Sequence, residues 1–110
     1  VTASGATSYA VAQRLSTPTQ FALYQNVPNP FRGSTTMRLD LPVGRMVRLE
    51  VFDVSGRRVR TLVNRFMPAG RHSVVWNQRD DAGATLGAGV YFTRLQVDAF
   101  RDRKKLILMP

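Results

Sequence analysis

From Thr35 to Met109 the chain alternates apolar and polar residues with a period of two, in short runs cut by turn residues. In the first clear run Thr35, Met37, Leu39 and Leu41 fall on one side and Thr36, Arg38 and Asp40 on the other. Successive side chains of a strand point to opposite faces, so this pattern predicts a strand with one buried face. After a tight connection at Pro42-Val43-Gly44-Arg45, Met46–Phe52 alternates again, with Val47, Leu49 and Val51 inward and Arg48 and Glu50 outward. Asp53-Val54-Ser55-Gly56 reads as a hairpin turn in which Gly56 supplies a positive φ. Arg57–Asn64 is the returning strand, with Val59 and Leu62 packed, and Phe66-Met67-Pro68-Ala69-Gly70 reads as a loop.

His72, Val74 and Trp76 share a face of the next strand, which runs into a long polar loop over Asn77–Gly83. Gly87 and Gly89 bracket the entry to Val90–Val97, with Tyr91, Thr93, Leu95 and Val97 on one face. Asp98–Asp102 reads as a polar turn around Phe100, and Arg103–Met109 as a last strand with Leu106 and Leu108 on one face. Phe21–Gln25 is a shorter strand at the front. No segment sustains a period of 3.6. About seven short strands at regular spacing predict an all-β, antiparallel β-sandwich with the lone Trp in its core. A closed barrel is the alternative.

Two segments stand outside this rhythm. Gln25-Asn26-Val27-Pro28-Asn29-Pro30-Phe31 cannot be helix, because each proline fixes its own φ, removes a donor and biases the residue before it towards extended geometry. It reads as a stiff, extended hinge held by Pro28 and Pro30, with Phe31 as the apolar anchor where the body begins. Before it, residues 1–20 form a lead with one charge, Arg14. Thr7–Leu15 alternates, with Tyr9, Val11, Gln13 and Leu15 on one side, until Ser16-Thr17-Pro18-Thr19 breaks it. The lead is either a flexible linker or a strand that pairs with a sheet edge, its own or a neighbour's. The expected division is therefore residues 1–20 as lead and 21–110 as sandwich.

Composition narrows the chemistry. A chain of 110 residues can build one core without staples. With no Cys, disulfides, thiolate metal sites and Cys nucleophiles are excluded. No apolar run approaches the roughly 20 residues of a membrane span, and no signal peptide is visible. The start at Val1 rather than Met reads as a processed product or a fragment. The net charge of +9 is mostly arginine spread through every segment of the body, as on solvated strand faces, and no ladder of aromatics suggests specific nucleic-acid binding.

Candidate chemistry is sparse. His72 is the one histidine and has no Asp or Glu partner at a useful local spacing. Ser55 sits in turn chemistry rather than a nucleophile elbow. Asn77, Asp80 and Asp81 could ligate calcium, but Arg79 stands among them, and carboxylates bonded to loop amides explain the loop better. Gly87-Ala88-Gly89 is too short for a phosphate cradle. No catalytic residue, cofactor or metal site is expected.

The motif series carries a resemblance. Gln25–Phe31 followed by Ser34-Thr35-Thr36, then Val51-Phe52-Asp53-Val54-Ser55-Gly56-Arg57-Arg58-Val59, Pro68-Ala69-Gly70, Trp76, Asp80-Asp81-Ala82-Gly83, Gly89-Val90-Tyr91-Phe92 and Arg103-Lys104-Lys105 resemble a bacterial family of immunoglobulin-like C-terminal domains. That family includes the Ig-like domain of the flagellar hook-capping protein and type A C-terminal sorting domains of type IX secretion. Arg32-Gly33 and Asn77-Gln78 depart from its usual pattern. The resemblance covers Phe21 to the C-terminus. It implies an immunoglobulin/fibronectin-like sandwich, non-catalytic, at a bacterial surface or secreted, with Pro28, Pro30, Phe31, Gly56, Trp76, Gly89 and Tyr91 as structural positions.

Two functions follow as expectations. One is a self-assembling surface or filament subunit whose lead adds a strand to a neighbour through Tyr9, Val11, Gln13 and Leu15. The other is a C-terminal sorting or anchoring domain of a larger secreted protein. Both partners are proteins, either copies of this chain or a secretion apparatus. Neither function calls for a specific nucleic acid or for membrane insertion.

Overall fold

A computed structural model describes residues 17–110. The strands are β1 (Ala22–Leu23), β2 (Thr35–Leu41), β3 (Arg45–Asp53), β4 (Arg58–Met67), β5 (Gly70–Trp76), β6 (Gly89–Val97) and β7 (Phe100–Leu108). They form two antiparallel sheets, a three-stranded one ordered β1-β2-β5 and a four-stranded one ordered β4-β3-β6-β7. Their inner faces meet in a core of Met37, Leu39 and Leu41 from one sheet and Val47, Leu49, Val51, Leu95, Leu106 and Leu108 from the other, all buried. Thr93 is buried on the same inner face. This is the predicted immunoglobulin-like sandwich.

The turn between β3 and β4 forms for a local reason. The Asp53 carboxylate accepts hydrogen bonds from the Ser55 amide (2.9 Å), the Ser55 hydroxyl (2.6 Å) and the Arg57 amide (3.1 Å). The Gly56 amide donates back to the Asp53 carbonyl, and Gly56 takes φ +86°. The Ser55 hydroxyl, and then the two amides, hold the Asp53 carboxyl below the usual carboxylate range.

Several strand bounds differ from the expected ones. β1 is only Ala22–Leu23. β4 runs on through Phe66 and Met67, which pair with Met46 and Arg45 rather than forming a loop. Register shifts opposite Leu49/Glu50 and Val51/Phe52 break the alternation of β4, so the periodic signal fades before the strand ends. The same shifts bury Val63 and leave Leu62 only partly covered. Phe100 opens β7 instead of sitting in a turn, the turn itself being Asp98-Ala99 with Asp98 at φ +52°.

Glu50 and Asp40 lie on outward faces, as their parity requires, yet both are buried. Arg58 Nη1 and Arg94 Nη2 each donate to the Glu50 carboxylate at 3.1 Å and cover it. Tyr24 covers Asp40 and donates its hydroxyl to Asp40 Oδ2, a bond that, with some burial, raises the tyrosine's pKa.

The proline-rich stretch is not an extended hinge outside the body. The Val27–Pro28 and Asn29–Pro30 bonds are both cis, and the segment bends across the end of the sandwich. Val27 bridges β2 at Thr36, while Phe31 makes a parallel bridge to β7 at Leu108. The stretch therefore passes from one sheet to the other. Asn26, 2% exposed, is fixed inside the bend by bonds from its Nδ2 to the Pro28 carbonyl and the Thr35 hydroxyl, both at 3.0 Å.

Candidate protein-interaction site

A sandwich presents its faces and the unpaired backbone of its edge strands to partners. The edges here are treated unequally. The far half of β7 is closed by the bend. The Phe31 amide donates to the Ile107 carbonyl (2.9 Å), and the Met109 amide donates to the Phe31 carbonyl (2.8 Å). Asn29 Oδ1 accepts from the Ile107 amide (2.9 Å), and Gln25 Nε2 donates to the Lys105 carbonyl (2.7 Å). The near half is flanked by Phe21, whose ring lies 5.7 Å from that of Phe100. The start of β4 is closed by the polar loop. The Asp81 amide donates to the Val59 carbonyl (3.0 Å), and the Asp81 carboxylate accepts from the Thr61 amide (2.9 Å).

β5 differs. It pairs with β2 on one side and has no strand on its other side among the described residues. Val75, on the outer face of this strand, is 60% exposed. An edge of seven residues of this kind is a template for an added strand.

The positions singled out from the sequence fall into two groups. Tyr9, Val11, Gln13 and Leu15 lie outside the described residues. The others gather at one end of the core. Phe31, 1% exposed, packs against Trp76 with ring centroids 5.7 Å apart and planes tilted by 56°, and Tyr91 meets Trp76 edge-on at 5.5 Å. Trp76 Nε1 donates to the Arg79 carbonyl (2.9 Å) and the Tyr91 hydroxyl to the Gly87 carbonyl (2.7 Å), so each ring buries its body and satisfies its polar atom. Burial, and then the Asp53 charge, raises the pKa of Tyr91. Pro28 and Pro30 shape the bend that delivers Phe31, and Gly89, at φ +152°, opens β6 towards Tyr91. Sequence reasoning missed Asn26 as an organising residue. A polar residue inside a proline-rich apolar stretch was the available signal.

The remaining candidates serve the fold. His72 Nε2 lies 2.7 Å from the Pro68 carbonyl. Asp80 Oδ1 accepts from the Ala82 (3.0 Å) and Ala84 (2.9 Å) amides of its own loop, whereas Asp81 accepts from Thr61 of β4. Among the described residues no group of three or more His, Cys, Asp or Glu side chains is placed to hold a metal, and no helix is long and apolar enough to cross a membrane.

Two packed antiparallel sheets with this strand order and an aromatic cluster at one end define an immunoglobulin-like module. The family model of the FlgD Ig-like domain matches residues 29–99, and the chain belongs to that family. Among solved structures it is similar to dimeric latent PorU from Porphyromonas gingivalis, at 22% identity and TM-score 0.67 over 84% of this chain and 10% of that one. It is also similar to FlgD from P. aeruginosa, at 24% identity and TM-score 0.54 over 67% of this chain and 60% of that one. PorZ, described as an essential surface component of the type IX secretion system of P. gingivalis, matches at 16% identity and TM-score 0.54 over 88% of this chain and 12% of that one. At these identities the likeness is one of fold, and the chain spans about a tenth of PorU and PorZ. No curated protein matches it.

Proposed function

We propose that this chain is a non-catalytic protein-interaction module of the bacterial surface or of a secreted protein. We further propose that it assembles with its own kind by strand addition. In this reading residues 1–20 are an exchanged lead, residues 21–110 are the sandwich, and Tyr9, Val11, Gln13 and Leu15 of one molecule align along β5 of the next. The observation that carries the reading is the unequal treatment of the edges: among the described residues β5 has a strand on one side only, while β7 and the start of β4 are capped. Main-chain hydrogen bonds supply affinity in such additions and alternate side chains supply register. The net charge of +9 opposes crowding of subunits, so assembly strengthens as salt screens it. Sedimentation or light scattering of the full chain tests the reading against a version lacking residues 1–15 and against Val11→Pro, which disfavours strand formation at that position. Oligomers from the full chain and monomers from both variants are expected. Monomers in every case remove the proposal.

A second reading is a sorting or anchoring domain of a larger secreted protein, favoured by the fold shared with PorZ. A reporter fused ahead of the body, expressed in a bacterium with type IX secretion, then reaches the surface. Retention inside the cell counts against this reading.

A further inference from the structure

The outer face of the four-stranded sheet is built in registered rows. Asn64, Arg48, Gln96 and Arg101 form one row, and Thr61, Glu50, Arg94 and Arg103 the next. Arg58, Phe52, Phe92 and Lys105 form a third. These rows carry many cations and one carboxylate, Glu50, which is buried and already shared by Arg58 and Arg94. The guanidiniums are held in place. Arg94 lies 4.7 Å over the Phe52 ring and Arg103 lies 5.5 Å over the Phe92 ring, beside a groove lined by Phe52, Asp53, Val54, Phe92, Arg94 and Arg103, in which the Asp53 carboxylate is taken up by the amides and hydroxyl of its own turn. Arg94 Nε is buried without a hydrogen-bond partner among the described residues. Apolar pairs close both ends of the face. Met46 and Phe66, both well exposed, stand at one end, and Val90 and Ile107 at the other.

We propose that this face docks an acidic, extended polypeptide segment with an apolar residue at each end. Charge complementarity selects an anionic partner, and stacked, ion-paired arginines lose little freedom on meeting it. The aromatic faces select peptide over nucleic acid, because Arg94 and Arg103 already cover the rings on which bases would stack. The apolar ends have no use for a phosphodiester chain. At about 3.4 Å per residue the rows from Met46 to beyond Phe52 span roughly 25–30 Å, the length of about eight or nine extended residues. This surface is separate from the β5 edge, so the proposal stands independently of strand addition.

The test is fluorescence anisotropy of the full chain with a labelled nonapeptide that has Phe at both ends and alternating Glu and Ser between. The comparison ligands are the same peptide with Gln for Glu, the same peptide with Ser for Phe, and oligothymidylate. Arg101→Glu/Arg103→Glu is set against Arg32→Glu/Arg38→Glu, an equal charge change at exposed positions away from this face. The proposal expects the face variant to weaken the acidic peptide by about tenfold or more and the control variant by less than about threefold. Both changed peptides are expected to bind more weakly than the parent. Equal weakening by the two variants, or oligothymidylate binding at least as tightly as the peptide, overturns it. Trp76 emission checks folding, and Arg101→Gln/Arg103→Gln replaces the face variant if the charge reversal unfolds the chain, with the same direction expected.

Discussion

Phe31→Ala removes the side chain through which the proline-rich bend enters the core and leaves its backbone bonds to β7 available. The ring is 1% exposed and lies 5.7 Å from Trp76. Truncating a buried Phe costs about 3–5 kcal/mol, of which the aromatic pair accounts for about 0.5–1.5 kcal/mol. A domain of this size has about 5–15 kcal/mol in hand, so the variant folds but is weakened. Phe31→Leu keeps most of the volume, loses the pair and costs about 1–1.5 kcal/mol. Urea unfolding followed by fluorescence reads both, because Trp76 is the only tryptophan and sits against the mutated position. With a slope of about 1–3 kcal/mol per molar urea, Phe31→Ala lowers the midpoint by about 2 M with the slope unchanged. A drop below about 0.5 M with unaltered native emission would refute the view that this residue anchors the bend in the core.

Three further outcomes follow from the same geometry. Asn26→Ala removes the two bonds that tie the bend to Asn26, leaving the Thr35 hydroxyl and the Pro28 carbonyl bonded to each other, and costs about 1–3 kcal/mol by urea titration. Gly56→Ala meets no atom within 4 Å, so its cost of about 1–2 kcal/mol is backbone strain at positive φ alone, and Gly56→Asn loses less in the same titration. The folded-state pKa of Asp53 is lowered, so its contribution to stability is present above the ordinary carboxylate pKa of about 4 and is lost as pH falls through the folded value. Asp53→Asn should therefore flatten the fall in stability between neutral and strongly acid pH, measured as urea midpoints at a series of pH values.

The core was legible because a period of two needs only the sequence: Met37, Leu39, Leu41, Val47, Leu49, Val51, Leu95 and Leu106 all fall on the expected faces. What escaped depends on contacts between strands. The shifts opposite β3 hide the end of β4, since each extra residue reverses the parity that the pattern relies on. Glu50 carries the outward parity of a solvated charge. Its burial comes from Arg58 and Arg94, eight and forty-four residues away, which no local window relates to it. The bend at Pro28 and Pro30 was visible as rigidity. Its direction, from β2 to β7, belongs to the assembled sheets.

That direction constrains any assembly. The two sheets place β1 beside β7 on one flank, leaving β4 and β5 as the opposite edges. The bend and Phe21 close the first flank. The β5 edge, unpaired among the described residues, belongs to the second flank. A contact between the lead of one molecule and β5 of another joins unlike surfaces: made in one direction it repeats into rings or open filaments, and made reciprocally it closes as an exchanged dimer that is lost with the lead. Pairing of β5 with β5 joins like surfaces and stops at a two-fold dimer. The size distribution thus separates the two routes without a structure of the assembly. Species that grow with concentration and vanish without residues 1–15 require the lead. A dimer that survives that truncation assigns the open edge to itself.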